Sequence, residues 1–192
     1  ALPDVQALSE APEDELLKLW EGLGYYNRVR NMQKAARVIV SEYGGDFPAD
    51  YEKLLSLPGL GHYTAGAVSS IAFGIPMPAV DGNVLRVLSR VTASYEDVLK
   101  QSVKTAMEAE VKKIIPADRA GDFNQALIEI GAIVCVPNGK AKCEICPLAF
   151  LCEAYKKGIV DELPKKKVKR ERRIEDRTIL ILKEGDRVGI RK

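Results

Sequence analysis

The chain has 192 residues, a length that suggests one domain, or one domain and part of another. Hydrophobic residues make up 46% of it, which is enough for a real core and excludes disorder throughout. No stretch approaches the roughly 18–20 apolar residues of a membrane span, and the opening residues form neither an initiator Met nor a secretion signal. We therefore expect a protein that has no membrane contact, is not secreted and is numbered from inside a longer polypeptide.

The net charge of +2 is unevenly distributed along the chain. From Lys165 to Arg173, seven basic residues stand against one acid, Glu171, so this segment carries +6 and the remainder carries −4. Such a run of like charges is typical of a solvated linker. Because the body of the chain is not basic, any binding to nucleic acid must come from local patches and backbone amides.

The sequence up to about residue 160 predicts helices. Pro12 suits a first helical position, the three acidic residues after it suit the positive end of the helix dipole, and Gly22 ends this first predicted helix. Apolar stripes at helical spacing predict six more helices. They are expected at 27–43, 50–57, 63–73, 84–91, 98–115 and 123–135.

The character of the sequence changes near Pro164. Two apolar runs, 178–182 and 188–190, flank Glu184-Gly185-Asp186 in the pattern of a β-hairpin. Two strands alone are marginally stable, so the hairpin is expected to open a larger domain. The predicted units are a helical domain, a basic linker and the start of a β domain, over 1–163, 164–176 and 177–192 respectively.

All four cysteines, Cys135, Cys143, Cys146 and Cys152, lie within one compact loop, 135–152. Two disulfides would suit a small secreted scaffold, and structural zinc prefers two C-x₂-C knuckles, of which only one is present. An irregular compact loop of four cysteines is typical of an iron–sulfur cluster, so the spacing favours a cluster over zinc and over disulfides. Lys140 and Lys142 within the loop form either a solvated face or a positive surface for phosphate.

Two other features are candidate functional elements. Leu57-Pro58-Gly59-Leu60-Gly61 joins two predicted helices, and the exposed amides at the start of the second helix can bind phosphate without reading sequence. The alternative is an ordinary helix–helix turn. Asp81 precedes the helix predicted at 84–91, where it is either an N-cap or a carboxylate at the mouth of a groove.

The hairpin 57–61, the aspartate and the cysteine loop, in this order, resemble the helix-hairpin-helix DNA glycosylases of the endonuclease III superfamily. Residues 20–31, W-E-G-L-G-Y-Y-N-R-V-R-N, and 80–84, V-D-G-N-V, are similar to the adenine DNA glycosylase (MutY-type) branch, as are F-N-Q-A and L-I-E-I-G over 123–131. The resemblance covers roughly residues 1–165. It implies a mainly α fold with a four-cysteine [4Fe-4S] loop, then a basic linker and the first β-hairpin of a Nudix-like domain.

The resemblance also implies a reaction. Lyase members carry a Lys just after the hairpin that forms a Schiff base, whereas this sequence has Tyr63 there and no Lys between Lys53 and Lys100. We therefore expect hydrolysis of the bond between adenine and sugar. Asp81 would stabilise the oxocarbenium-like sugar or bond to it, and Tyr63 would support the centre. The family's catalytic Glu, near a Q-Q-T motif, has no match, so the chain as given is expected to be inactive and its parent active.

Further roles follow from the same resemblance. Tyr25 would be the wedge beside the oxidised guanine, and Gln125 would hydrogen-bond the flipped adenine. The simpler roles are core packing for Tyr25 and a polar helix face for Gln125. The implied partner is double-stranded DNA with adenine opposite 8-oxoguanine or G, bound by a monomer in the cytoplasm, at a bacterial nucleoid. The expected DNA-backbone contacts are Leu57, Gly59, Gly61, His62, Tyr63, Lys140 and Lys142.

The sequence departs from the family pattern in two places. Its first cysteine gap has seven residues where the family usually has six, and almost all of the Nudix-like domain is absent, which makes recognition of 8-oxoguanine by this chain doubtful. Two other functions stay open. Mismatch thymine glycosylases also carry Tyr where lyases have Lys, although the basic linker argues against this branch. A non-catalytic DNA-binding iron–sulfur module would use the hairpin amides and the cysteine loop without releasing a base.

Overall fold

A computed structural model of the chain describes residues 1–166, 175 and 181–189. Most of the predicted basic linker and the first part of the strand predicted at 178–182 lie outside these residues. Within them the chain forms nine α-helices, and none of these is long and apolar enough to cross a membrane. They are α1 (Val5–Glu10), α2 (Glu13–Leu19), α3 (Tyr26–Tyr43), α4 (Tyr51–Ser56), α5 (His62–Phe73), α6 (Gly82–Val91), α7 (Gln101–Ile114), α8 (Ala120–Glu129) and α9 (Glu153–Lys156).

The seven predicted helices are confirmed, with local differences at their ends. α7 begins at Gln101 instead of Val98 because the Val98 amide donates to the carbonyl of Lys165 at 3.2 Å. The helix predicted at 123–135 is α8 followed by a π-helix, Ile130–Val134, which delivers the chain to Cys135. The sequence does not predict α1 or α9. α9 has four residues, too few to show an apolar stripe, and half of the six residues of α1 are polar.

Apolar side chains form three clusters that hold the helices together. The first, around Ile39 and Leu54, joins α3, α4 and α5, and the second, around Val84 and Val111, joins α6, α7 and α8. A third, smaller cluster places Leu163 against Cys152 and so fixes the segment after α9 beneath the cysteine loop. Burial of each such aliphatic side chain stabilises the folded state by about 1.5–3 kcal/mol relative to leaving it exposed.

The end of the helical body and the predicted hairpin differ in detail from expectation. Lys165, in the predicted linker, pairs with Asp97 in a parallel β-bridge. Further on, β1 (Lys183–Glu184) and β2 (Arg187–Val188) pair antiparallel around Gly185-Asp186. Glu184, predicted in the turn, is therefore in a strand, because Gly185 at φ +56° allows a two-residue turn.

Candidate active site and cysteine centre

The connection between α4 and α5 is a tight turn. The Leu60 amide donates to the carbonyl of Leu57 at 3.1 Å, and Gly59 adopts φ +82°, as the second central position of such a turn requires. A Cβ on Gly59 would also lie 2.6 Å from the Cβ of Asn31 in α3. The turn is thus seated against α3, and a glycine is needed both for its conformation and for this contact.

The outer face of the turn carries most of the predicted DNA contacts. Gly61, His62 and Tyr63 are exposed. Gly61 is the N-cap of α5 and has no side chain to bond the first amides of the helix, which remain available to an anion. His62 Nδ1 lies 2.9 Å from the hydroxyl of Tyr51, a contact that holds the imidazole against α4. Leu57 is 2% exposed, so its side chain supports the turn from within.

The first half of α5 packs directly against the segment that leads to Asp81. A Cβ on Gly66 would lie 1.9 Å from the carbonyl oxygen of Pro78, a separation that a residue with a side chain cannot adopt. Tyr63 precedes Gly66 by one helical turn on the same face of α5, and its side chain is 40% exposed. The face of α5 that carries Tyr63 therefore packs against Pro78, which precedes Asp81 by three residues in the chain.

Asn124 on α8 holds the same segment from another side. Its amide is 1% exposed, accepts the Ala79 N–H at 3.0 Å, and donates to the Met77 carbonyl and to Ser70 Oγ at 2.8 Å each. α8 can approach α5 this closely because of Gly121, where a Cβ would lie 3.0 Å from the Ser70 carbonyl oxygen. One buried side chain thus ties α5, α8 and the chain before Asp81 into a unit.

Asp81 is the N-cap of α6. Its Oδ1 accepts the amide N–H groups of Asn83 at 2.8 Å and Val84 at 2.9 Å, and its Oδ2 accepts the side-chain N–H of Asn83 at 2.9 Å. The residue is half-buried, so the carboxylate is accessible yet cannot rotate freely. Three donors therefore hold a negative charge in one orientation beside α5, which is the preorganisation that charge stabilisation requires.

Asn83 and Arg86 connect this carboxylate to the cysteine loop. Arg86 Nη2 donates to Asn83 Oδ1 at 2.8 Å and to the Gly131 carbonyl at 2.7 Å, and Nε donates to the Cys135 carbonyl at 2.7 Å. Burial, more than any neighbouring charge, lowers the pKa of this guanidinium, which is 6% exposed. A chain of hydrogen bonds therefore runs from Asp81 to the first cysteine.

The four cysteines, Cys135, Cys143, Cys146 and Cys152, line one cavity together with mainly aliphatic side chains. Burial, followed by the charges of the other three cysteines, raises the pKa of Cys143, as expected where sulfur atoms converge. Across residues 1–166, 175 and 181–189, no three His, Cys, Asp or Glu side chains form a group that could hold one metal ion. The four thiols therefore share the lining of one mainly apolar cavity.

Two lysines project from the loop between the first two cysteines. Lys140 and Lys142 are exposed, whereas Ala141 between them is buried. The Lys142 amide donates to the Val134 carbonyl at 3.0 Å, which fixes this part of the loop to the end of the π-helix. The alternation of exposed and buried residues presents both ammonium groups to solvent.

Tyr25 occupies a strained and exposed position just before α3. Its φ of +49° lies in the left-handed region, which costs a residue with a side chain about 1–2 kcal/mol, and the side chain is 83% exposed. The Trp20 indole N–H donates to the Gly24 carbonyl at 2.8 Å and fixes the preceding turn. Core packing, the simpler role for Tyr25, is therefore wrong, and strain of this kind is concentrated at functional sites.

Gln125 follows the buried Asn124 on α8 and is exposed. Its side-chain N–H donates to Glu129 Oε1 at 3.0 Å, so one end of the amide is held within the helix. Sequence reasoning does not identify Gly66, Asn124 or Arg86 as part of the site. For Arg86, the available signal is a pair of arginines, four residues apart, in a helix whose other residues are mostly apolar.

Comparison with known sequences gives consistent matches. A family model described as "HhH-GPD superfamily base excision DNA repair protein" matches residues 1–116. The mouse protein named "Adenine DNA glycosylase" is 46% identical over 156 residues, which are 81% of this chain and 30% of the mouse protein. The chain thus spans less than a third of the length of this relative.

Two solved structures are similar over most of the helical body. A thermostable thymine-DNA glycosylase superimposes with a TM-score of 0.68 and 32% identity, over 80% of this chain and 70% of that chain. A non-covalent endonuclease III–DNA complex superimposes with a TM-score of 0.68 and 33% identity, over 82% and 72% of the two chains.

Proposed function

Because the chain belongs to the HhH-GPD superfamily of base excision DNA repair proteins, we propose that the protein containing it is a monofunctional adenine DNA glycosylase. Its substrate is double-stranded DNA in which adenine is mispaired with 8-oxoguanine or G, and it releases the adenine by hydrolysis. The observation that carries this proposal is the fixed carboxylate of Asp81 beside a helix that has Tyr63 where a lyase needs Lys.

Asp81 supplies the charge that base release needs. When the bond from adenine to the sugar breaks, positive charge develops on the sugar, and a carboxylate that is already oriented stabilises it without reorganisation. Water completes the hydrolysis, and a general acid must protonate the departing adenine. Because no Q-Q-T motif occurs in the printed sequence, neither Glu10 nor Glu21 is proposed as that acid.

Tyr63 makes the reaction monofunctional. A phenol cannot form an imine with the sugar, and no Lys lies between Lys53 and Lys100 to supply an amine instead. The product is therefore an abasic site in an intact strand, which breaks only when alkali is added.

The remaining contacts serve DNA binding and base recognition. Amides at the start of α5 and the ammonium groups of Lys140 and Lys142 meet backbone phosphates, which position the protein without reading sequence. Tyr25, held exposed by its strained turn, inserts beside the opposite base and offsets the cost of flipping the adenine. Gln125 hydrogen-bonds the flipped base.

The cysteine loop is proposed to hold a [4Fe-4S] cluster through Cys135, Cys143, Cys146 and Cys152. Structural zinc prefers two C-x₂-C knuckles, and only Cys143 and Cys146 have that spacing in this chain. When bound, the cluster supplies four iron–sulfur bonds that close the loop and hold its lysines in place. The donor set, four thiols in a mainly apolar cavity, is suited to this group.

The domain plan and the assembly are proposed on the same basis. Residues 1–163 form the helical domain, 164–176 the basic linker and 177–192 the start of a Nudix-like domain, supported by the antiparallel pair of β1 and β2. One copy of the chain contains the hairpin, Asp81 and the cysteine loop, which supports a monomer.

The test uses the longest natural polypeptide that contains this sequence and a labelled duplex with adenine opposite 8-oxoguanine. After incubation, one half is heated in alkali and the other is kept neutral. Strand breakage in the alkaline half alone is expected. Breakage in the neutral half contradicts the role of Tyr63, and cleavage of thymine opposite G without adenine release supports the thymine glycosylase instead.

Asp81→Asn tests the assigned carboxylate. Asn caps a helix as well as Asp, so this variant is expected to fold and bind the duplex but release no adenine. Asp4→Asn is the matched control, because Asp4 caps α1 through the Ala7 amide at 2.7 Å and has no part in the proposed site. Equal adenine release by Asp81→Asn and Asp4→Asn contradicts the mechanism.

A further inference from the structure

We propose that Arg90 is a positioning residue for the cluster, a buried cation that holds the first ligand, Cys135, and balances part of the negative charge of the centre. The inference rests on the cluster proposed above. The spacing of the cysteines does not identify Arg90, and its loss is expected to change both the stability and the redox behaviour of the centre.

Arg90 contacts the sulfur atom of a proposed ligand directly. The guanidinium is 5% exposed, lines the cavity with the four cysteines, and donates from Nη1 to Cys135 Sγ at 3.2 Å and to the Val136 carbonyl at 3.3 Å. Its backbone carbonyl lies 3.4 Å from Cys152 Sγ. One residue of α6 therefore touches both the first and the last cysteine of the loop.

The same guanidinium also fixes the chain beyond the loop. Its Nε donates to the Val160 carbonyl at 3.1 Å and to the Leu163 carbonyl at 2.9 Å. Arg90 thus joins the start of the cysteine loop to the segment that follows it. A lysine has a single ammonium group on a flexible stem and cannot reproduce this planar, branched set of donors.

Charge provides a second and independent argument. In the part of the chain that the structure describes, neither Arg86 nor Arg90 forms an ion pair with a carboxylate, although both are almost fully buried. A buried cation without a counter-charge is costly. The cavity that Arg90 lines with the four cysteines also contains Lys142 and Tyr155 but no carboxylate, so the thiols are the groups there that can carry negative charge. Thiolates of an anionic cluster supply the missing negative charge.

The expected effects follow from electrostatics. A cation and an N–H donor at a ligand sulfur favour the more negative, reduced state of the centre. In Arg90→Gln, the ratio of reduced to oxidised cluster at a fixed potential is expected to fall about tenfold, a shift of about 59 mV for a one-electron couple. Iron is expected to leave about tenfold faster in the presence of a chelator, as for other partners of metal ligands.

The experiment measures the midpoint potential and the chelator-induced loss of absorbance near 400 nm in the purified protein. Arg86→Gln is the matched control, since Arg86 lies one turn earlier on α6, is equally buried, and bonds the Cys135 carbonyl but not its sulfur. A clearly smaller change in the midpoint potential is expected for Arg86→Gln. Equal changes in the two variants, or none in Arg90→Gln, overturn it.

Circular dichroism verifies the fold of each variant. If Arg90→Gln does not fold, Arg90→Lys is used to test the role of Arg90. It keeps the positive charge, but one ammonium group cannot reach both the Cys135 sulfur and the Leu163 carbonyl. Loss of iron at the wild-type rate from Arg90→Lys overturns the inference, and faster loss with a potential near that of the wild type supports it. Absence of iron and sulfide from the wild-type protein overturns the cluster proposal itself, whereas adenine release tests the glycosylase assignment separately.

Discussion

Replacing Gly66 with Ala would place a methyl group 1.9 Å from the Pro78 carbonyl oxygen, 2.8 Å from the Pro78 carbonyl carbon and 3.3 Å from the Ala79 nitrogen. All three atoms belong to the backbone, so no side chain can rotate away to make room. The segment before Asp81 must therefore retreat from α5, by about 1.5 Å if the methyl group is to move from 1.9 Å to the 3.4 Å at which ordinary van der Waals contact begins.

This displacement lowers the free energy of unfolding, and the contacts that it changes give the size of the loss. Forcing a methyl group into a packed interface costs about 1–3 kcal/mol. The shift also breaks the bond from the Ala79 amide to Asn124, and a buried polar group left unpaired costs about 1–3 kcal/mol. Ala in place of Gly regains about 1 kcal/mol in a helix. The expected net loss in the free energy of unfolding is about 1–5 kcal/mol.

Thermal unfolding and adenine release measure the two consequences. For a chain of this size, the loss lowers the melting temperature by about 2–20 °C. The displacement of Asp81 is expected to slow single-turnover adenine release about 100-fold, the usual effect of a 1 Å misplacement. Gly82→Ala is the stability control, because nothing lies within 4 Å of the added methyl group there. If Gly66→Ala has the melting temperature and the rate of adenine release of the wild type, the contact of Gly66 with Pro78 does not position Asp81.

Two further predictions concern the DNA-binding surface. Tyr25→Gly removes a strained left-handed residue of which 83% is exposed, so its melting temperature is expected to stay equal or rise while adenine release slows about tenfold through loss of the wedge. A lower melting temperature in that variant contradicts the assignment of strain. Replacing both Lys140 and Lys142 with Gln is expected to reduce the slope of log affinity against log salt by about 2, equally for matched and mispaired duplexes. Lys112→Gln on α7, an exposed lysine outside the proposed surface, should leave the slope unchanged.

The helices could be predicted from the sequence because their signals are local. Gly44 and Gly74 end α3 and α5 in the left-handed conformation, and apolar residues at helical spacing mark the faces that become buried. The same approach does not reveal the π-helix before Cys135. That segment continues an ordinary helical pattern, and its geometry depends on the close contact of Gly131 with Asn83 in α6.

Less of the site could be predicted, because its support comes from residues that are distant in sequence. The spacing of the cysteines and the position of Asp81 before a helix are visible in the chain. The bonds of Asn124 to Ala79 and of Arg86 to Cys135 join residues 45 and 49 positions apart. The sequence also does not distinguish Gly22, which has open space around it, from Gly66, which lies against the backbone of Pro78 and Ala79.

The two roles considered for Asp81, helix cap and catalytic carboxylate, are compatible. The amides of Asn83 and Val84 both bind Oδ1, while Oδ2 accepts the Asn83 side chain. The cap therefore fixes the plane of the carboxylate, which a carboxylate on a free loop would not have, and the proposed role in catalysis needs such a fixed charge. A variant that keeps the cap and loses the charge separates the two roles, and this is why Asp81→Asn, and not Asp81→Ala, is the informative substitution. If adenine release depended on the cap alone, Asp81→Asn would retain it; the charge argument requires that release is lost while folding and DNA binding remain.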